Sequence, residues 1–123
     1  MQAICLILLL SFSQGSVTIV KNNGDLVVLQ EATFYQGDKT GTRNTINYAY
    51  RGREESIKVS DIKRISFKET LKKKKGNATY RAILVRKNNT KLEIELQMLR
   101  VAGLTPAGKS VSLNLSSVDK ISF

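Results

Sequence analysis

The stretch Ile57–Phe67 reads IKVSDIKRISF, and Leu113–Phe123 reads LNLSSVDKISF. Each alternates apolar and polar residues, reaches a Ser-Asp or Ser-Ser pair, and leaves through an aliphatic residue, two polar residues and Ile-Ser-Phe. A period of two belongs to a strand with one wet face. Ser and Asp side chains bond to nearby backbone and favour caps and tight turns. Each copy therefore predicts a strand, a single helical or 3₁₀ turn and a closing strand. Ile57, Val59, Ile62, Ile65 and Phe67, with Leu113, Leu115, Val118, Ile121 and Phe123, are the expected core positions.

A second echo precedes the first. Thr18–Val28 reads TIVKNNGDLVV, and Leu84–Ile94 reads LVRKNNTKLEI. Both echoes occur in the same order, which points to an internal duplication. The expected fold is all-β, with two homologous antiparallel β units, small bent-barrel or sandwich-like, packed as one pseudo-symmetric domain. Unit one spans 16–70, a basic linker 71–78, and unit two 79–123. From Lys21 to Phe67 is 46 positions, against 36 from Lys87 to Phe123. The extra residues are expected in the Gly37–Arg43 loop and the strand beside it. Unit two alone buries too little surface to be stable without disulfides or metal, so the units should share a core.

The other alternations agree. Ile46, Tyr48 and Tyr50 share one parity, as do Leu92, Ile94, Leu96 and Met98. Asn22-Asn23-Gly24-Asp25, Asn88-Asn89-Thr90-Lys91 and Arg51-Gly52-Arg53-Glu54 read as hairpin turns. No window sustains a 3.6-residue period, so almost no α-helix is expected.

The endings VSDIKRISF and LSSVDKISF, with the hairpins before them, resemble the small bent barrels of the Sm-like class. In that class a curved five-stranded sheet carries a short 3₁₀ turn before its fifth strand. The resemblance implies the same fold for each unit. Sm proteins bind RNA through an Ile-Arg-Gly type motif at that turn. Arg51-Gly52 falls earlier here, so no RNA-binding role passes to it.

The chain has 123 residues, no histidine and one cysteine, Cys5. Without histidine, the commonest general base and metal ligand are missing. No metal and no cofactor is expected, and the chain is read as a non-enzyme. Residues 1–15, MQAICLILLLSFSQG, carry no charge and set an apolar run before small residues. This is the layout of a secretory signal, with cleavage after Ser13 or Gly15. The alternative is a buried first strand. The run is shorter than the roughly 20 residues of a membrane span. The reading is therefore an exported chain, periplasmic or extracellular, with no membrane span in its mature part.

Charge is unevenly placed. Residues 16–70 hold nine basic and seven acidic residues, whereas 71–123 hold eleven and three. Lys72, Lys73, Lys74 and Lys75, with Arg81, Arg86, Lys87 and Lys91, form the expected anion-binding set. The lysine run is either such a site or a solvated linker that keeps strand edges apart. Tyr48 and Tyr50 share the parity of Ile46, so they are expected in the core rather than as stacking platforms. The carboxylates sit in turns or on wet strand faces, where a catalytic pair is not expected. The expected function is a binding or assembly module. Its partner would be a protein strand added at an open edge or an anionic envelope polymer or lipid. Oligomers could form through the same edges. The alternative is a nucleic-acid-binding protein of Sm-like architecture.

Overall fold

The computed structural model describes residues 16–37, 41–74, 77–98 and 100–123. The expected signal, 1–15, lies outside them. Ten strands follow in order: β1 (Val17–Lys21), β2 (Leu26–Tyr35), β3 (Thr45–Tyr50), β4 (Arg53–Lys58), β5 (Ile62–Lys74), β6 (Asn77–Arg86), β7 (Lys91–Gln97), β8 (Arg100–Leu104), β9 (Ser110–Asn114) and β10 (Val118–Ser122). A 3₁₀ turn at Val59–Asp61 precedes β5, and a second at Leu115–Ser117 precedes β10. The described residues contain no α-helix.

All strands belong to one antiparallel sheet, ordered β4-β3-β7-β6-β5-β10-β1-β2-β8-β9. The sheet is not closed into a barrel, so the bent-barrel form of the expectation is not the one adopted. The physical reason is interleaving. β7 pairs on one side with β6 and on the other with β3, while β10 sits between β5 and β1. Neither half keeps its five strands together, and neither can close on itself.

The two endings meet at the centre of the sheet. Ile65 pairs with Ile121, Ser66 with Lys120 and Arg64 with Ser122. Their 3₁₀ turns have nearly the same backbone: Lys58 and Asn114 enter extended, and Ile62 and Val118 leave extended after donating to the first turn carbonyl. Ser60 and Asp61 lie within the first turn and do not cap it, because no side chain caps at Lys58. In the second turn, Ser117 Oγ donates to Asn114 O over 2.8 Å. Each turn is gripped by a hairpin of the other half: Lys87 N donates to Asp61 O, and Asn22 N to Ser117 O. These bonds align Asn22 with Lys87, one residue away from the Lys-Asn-Asn match in the sequence.

Three hairpins share one turn. Lys21, Arg86 and Thr105 each accept from the residue three positions on and donate to the carbonyl four positions on. The position that must take positive φ is filled by Gly24 (91°), Asn89 (69°) and Gly108 (85°). Asn replaces Gly there because its short polar side chain tolerates the left-handed region. Between β3 and β4, Arg51 and Gly52 both take positive φ, as a two-residue primed turn requires.

Strand irregularities bend the sheet. β2 pairs with β1 through Leu29 and then with β8 from Gln30, with its register broken between Gln30 and Thr33. Glu31 holds φ 52° in that break, the mark of a bulge that turns a strand. Gly103 of β8 lies against the corner, where an added Cβ would sit 2.8 Å from Gln30 O. β5 and β6 form a long hairpin with three register shifts. Lys72, Lys73 and Lys74 lie in its arm, paired with Thr79, Ala78 and Asn77. The segment expected as a linker is therefore mostly paired strand.

The sheet folds over one core. Ile57, Ile62, Ile65, Phe67, Leu115, Val118 and Ile121 from the two endings are buried, and Val59, Leu113 and Phe123 pack partly buried against them. Val17, Ile19, Leu29, Phe34, Ile46, Leu84, Ile94, Leu96, Met98 and Val101 join them. Tyr48 and Tyr80 are buried and Tyr50 packs against the cluster, so these tyrosines belong to the core.

Candidate functional site

Among the described side chains, Arg81, Arg86, Lys87 and Lys91 do not converge on one site. Arg81 stands on the outer face of β6 between two carboxylates, 3.0 Å from Glu69 and 3.6 Å from Glu93. Its charge is locally compensated. Arg86 reaches across the sheet and donates to the Tyr48 hydroxyl over 3.4 Å, while that hydroxyl donates to Glu55 over 3.1 Å. It ties the end of β6 to β3 across the intervening β7. Lys91 lines a depression shared with Arg51, Arg81, Glu93 and Glu95, where both signs are present. Lys72–Lys74 belong to the β5 arm, and Lys75 lies outside the described residues.

Lys87 is placed differently. It lines a groove of about 660 Å³ together with Arg43 and Lys58. Val17, Val59 and Phe123 supply an apolar floor, and Ser16, Asn44, Thr45 and Ser60 complete the wall. No Asp or Glu side chain is among the described residues lining it. Local folding sets each cation. Lys58 closes β4 immediately before the first 3₁₀ turn. The bond from Lys87 N to Asp61 O (2.9 Å) draws the β6–β7 turn onto that same turn. Val59 N donates to Asn44 O over 2.8 Å, which brings the segment after Arg43 alongside. Arg43 Nε donates to Thr33 Oγ1 over 3.3 Å. Close by, Lys63 Nζ donates to Asn89 Oδ1 over 3.0 Å in the same turn as Lys87.

Sequence reasoning found Lys87 and missed Arg43 and Lys58. Both belong to the half whose charge nearly balances, so a count along the chain hides them. Neither repeated motif links them to Lys87, since one matches Val59 with Leu115 and the other matches Lys21 with Lys87.

A second cleft, of about 480 Å³, lies between β3 and β7 and is lined by Glu54, Glu55, Glu95, Gln36 and Gln97 among others. Among the described residues, no group of three or more His, Cys, Asp or Glu could hold a metal ion. No helix of the described residues is long and apolar enough to cross a membrane.

No family model, no curated protein and no solved structure matches this chain. Its function is read from the geometry.

Proposed function

We propose that this protein is an exported, non-enzymatic β module that docks to an anionic envelope polymer or lipid through the Arg43–Lys58–Lys87 groove. The observation that carries this reading is three cations from three segments around one groove, with no carboxylate side chain among the described lining residues. Such a wall attracts phosphate or carboxylate groups, and the apolar floor suits the carbon part of a lipid headgroup or sugar phosphate. A formal net charge of +10 adds long-range attraction, screened beyond about 10 Å at 0.1 M salt.

Co-sedimentation with phosphatidylglycerol vesicles, and retention on immobilised anionic glycan, test the two sources of anion separately. Binding to one or both, weakened by salt and lost in an Arg43→Gln/Lys58→Gln/Lys87→Gln variant, supports the groove. Binding kept by that variant but lost on changing Lys72–Lys75 to alanine moves the site to the β5–β6 hairpin and overturns it. An intact Met1 on protein purified from its host would sink the export part.

The same reading takes the two halves as copies of one unit. Exchanging β1–β5 with β6–β10 turns the strand order into its own reverse. The pairing of Ile65 with Ile121 puts the midpoint of that exchange at the repeated endings.

A further inference from the structure

The two outermost strands, β4 and β9, stand in matching places. Each ends at the residue before a 3₁₀ turn, and each pairs with one neighbour among the described residues. Their sequences differ sharply. β4 reads REESIK, with four charged side chains; β9 reads SVSLN, with none. Charged edges resist the addition of another strand, and neutral, unbulged ones invite it.

The direction of the β9 backbone follows from its turn. Thr105 N donates to Lys109 O, so Thr105 faces β9. Bonded pairs alternate along an antiparallel ladder. Gly103 and Val101 therefore bond to Val111 and Leu113, while Leu104, Ala102 and Arg100 face β2, as their register there requires. This leaves the N–H and C=O of Ser110, Ser112 and Asn114 directed away from the sheet. Asn114 O already accepts from Ser117 Oγ. The side chains of these three residues are exposed, while Val111 and Leu113 are partly buried against the core.

We propose that β9 pairs antiparallel with β9 of a second copy of this chain, about a two-fold axis at Ser112. The strand is self-complementary in that register. Ser112 meets its own counterpart, Ser110 meets Asn114, and Val111 meets Leu113. The outward backbone groups fall on the positions that an antiparallel pair bonds. No charged side chain opposes another across the seam, and the apolar stripe of Val111 and Leu113 continues into the partner. The contact is isologous and closes as a dimer.

One feature sets its salt dependence. Arg100 lies 3.8 Å over the Tyr35 ring and donates from its guanidinium to Ser112 Oγ over 3.2 Å. Pairing at Ser112 brings two such guanidinium groups to one face of the seam, in addition to the repulsion between two strongly basic chains. Salt screens both. The dimer therefore strengthens as salt rises, opposite to docking on an anionic surface, so the two readings fail separately.

Sedimentation velocity of the full mature chain at NMR-level concentrations, over about 0.05 to 0.5 M NaCl, tests this with amide exchange. The expected result is a monomer–dimer equilibrium that shifts to dimer with salt and protects the Ser110 and Ser112 amides. Ser112→Lys, which places like charges opposite each other at the axis, should weaken it severalfold, and Ser56→Lys on β4 should not. Thermal unfolding of both variants checks that they fold. A monomer at every salt with fast-exchanging β9 amides overturns the proposal. So does a monomer with those amides protected, since the chain then covers its own edge. A dimer indifferent to Ser112→Lys also overturns it, because another surface is then in use.

Discussion

The side-chain amide of Gln36 pairs with the backbone of Asn47 as another strand would. Nε2 donates to Asn47 O over 2.8 Å, and Asn47 N donates to Oε1 over 3.0 Å. Nε2 also donates to Gln97 O over 2.8 Å. The side chain fills a gap, because β3 and β7 are joined in register only at Ala49 and Glu95. Gln36→Leu removes all three bonds and leaves backbone groups without partners. These bonds lie near solvent and water replaces them in part, so the expected loss is about 0.5–1.5 kcal/mol, the net worth of an ordinary hydrogen bond. Chemical denaturation measures it, and exchange of the Asn47 amide should accelerate more than that of Ile19 in the central sheet. Equal acceleration at both would mean that Gln36 acts on global stability alone.

Gly103 is held to glycine by space. A Cβ there would sit 2.8 Å from Gln30 O and 3.0 Å from Leu29 Cβ. The carbonyl belongs to the β2 corner and cannot swing away as a side-chain tip would. Gly103→Ala should cost about 1–3 kcal/mol, as overpacking does. Gly52→Ala tests backbone strain instead, since its added Cβ meets nothing within 4 Å while φ is 80°. If Gly103→Ala unfolds at the wild-type midpoint, the corner is looser than these distances require.

What the sequence revealed followed from local physics. The repeated apolar positions announced the strands and turns because a period of two is enforced residue by residue. Ile65 and Ile121 could be placed in the core from their spacing alone. Their pairing with each other could not, since nothing local says that one half's closing strand adds to the other's. The same limit hid the groove. Arg43 and Lys58 approach Lys87 only because β7 and β6 insert between β3 and β5. Arg81 was read as an available cation for the converse reason: Glu69 and Glu93 are 12 positions away on either side in sequence, yet Glu69 lies directly across the ladder on β5 and Glu93 lies diagonally on β7.

Burial pushes the Tyr80 hydroxyl above its ordinary pKa of 10.0. Its ring is buried and meets Phe67 edge-on at 5.7 Å. The folded state therefore holds this proton where the unfolded chain gives it up. The contribution to stability is fully present below about pH 10, the unfolded value, and is lost as pH rises through the folded one. Subtracting the ultraviolet titration of Tyr80→Phe from that of the wild type isolates the group. Its tyrosinate signal should have its midpoint above that ordinary value and coincide with a fall in denaturation midpoint that the variant lacks in part. A midpoint at or below 10.0 would show that the hydroxyl reaches water.

Interleaving makes the two halves mutually dependent. β10 pairs with β5 and β1, β7 takes β3 as its second neighbour, and the two 3₁₀ turns are each gripped by the other half's hairpin. A fragment of residues 76–123 would keep β6–β7 and β8–β9 but lose β1, β5, β2 and β3 as neighbours. The buried faces of Ile94, Leu96, Val118 and Ile121 would then lie open. Neither this fragment nor 16–75 should show a cooperative transition or dispersed amide signals alone. Mixed in equal amounts, they should fold together, because the hairpin between β5 and β6 is only one of the seams joining them. Recovery of dispersed signals on mixing, with a midpoint that rises with concentration, is the expected result. A fragment that folds alone would mean that its five strands can pair among themselves, and the interleaved order would not be needed to close the core.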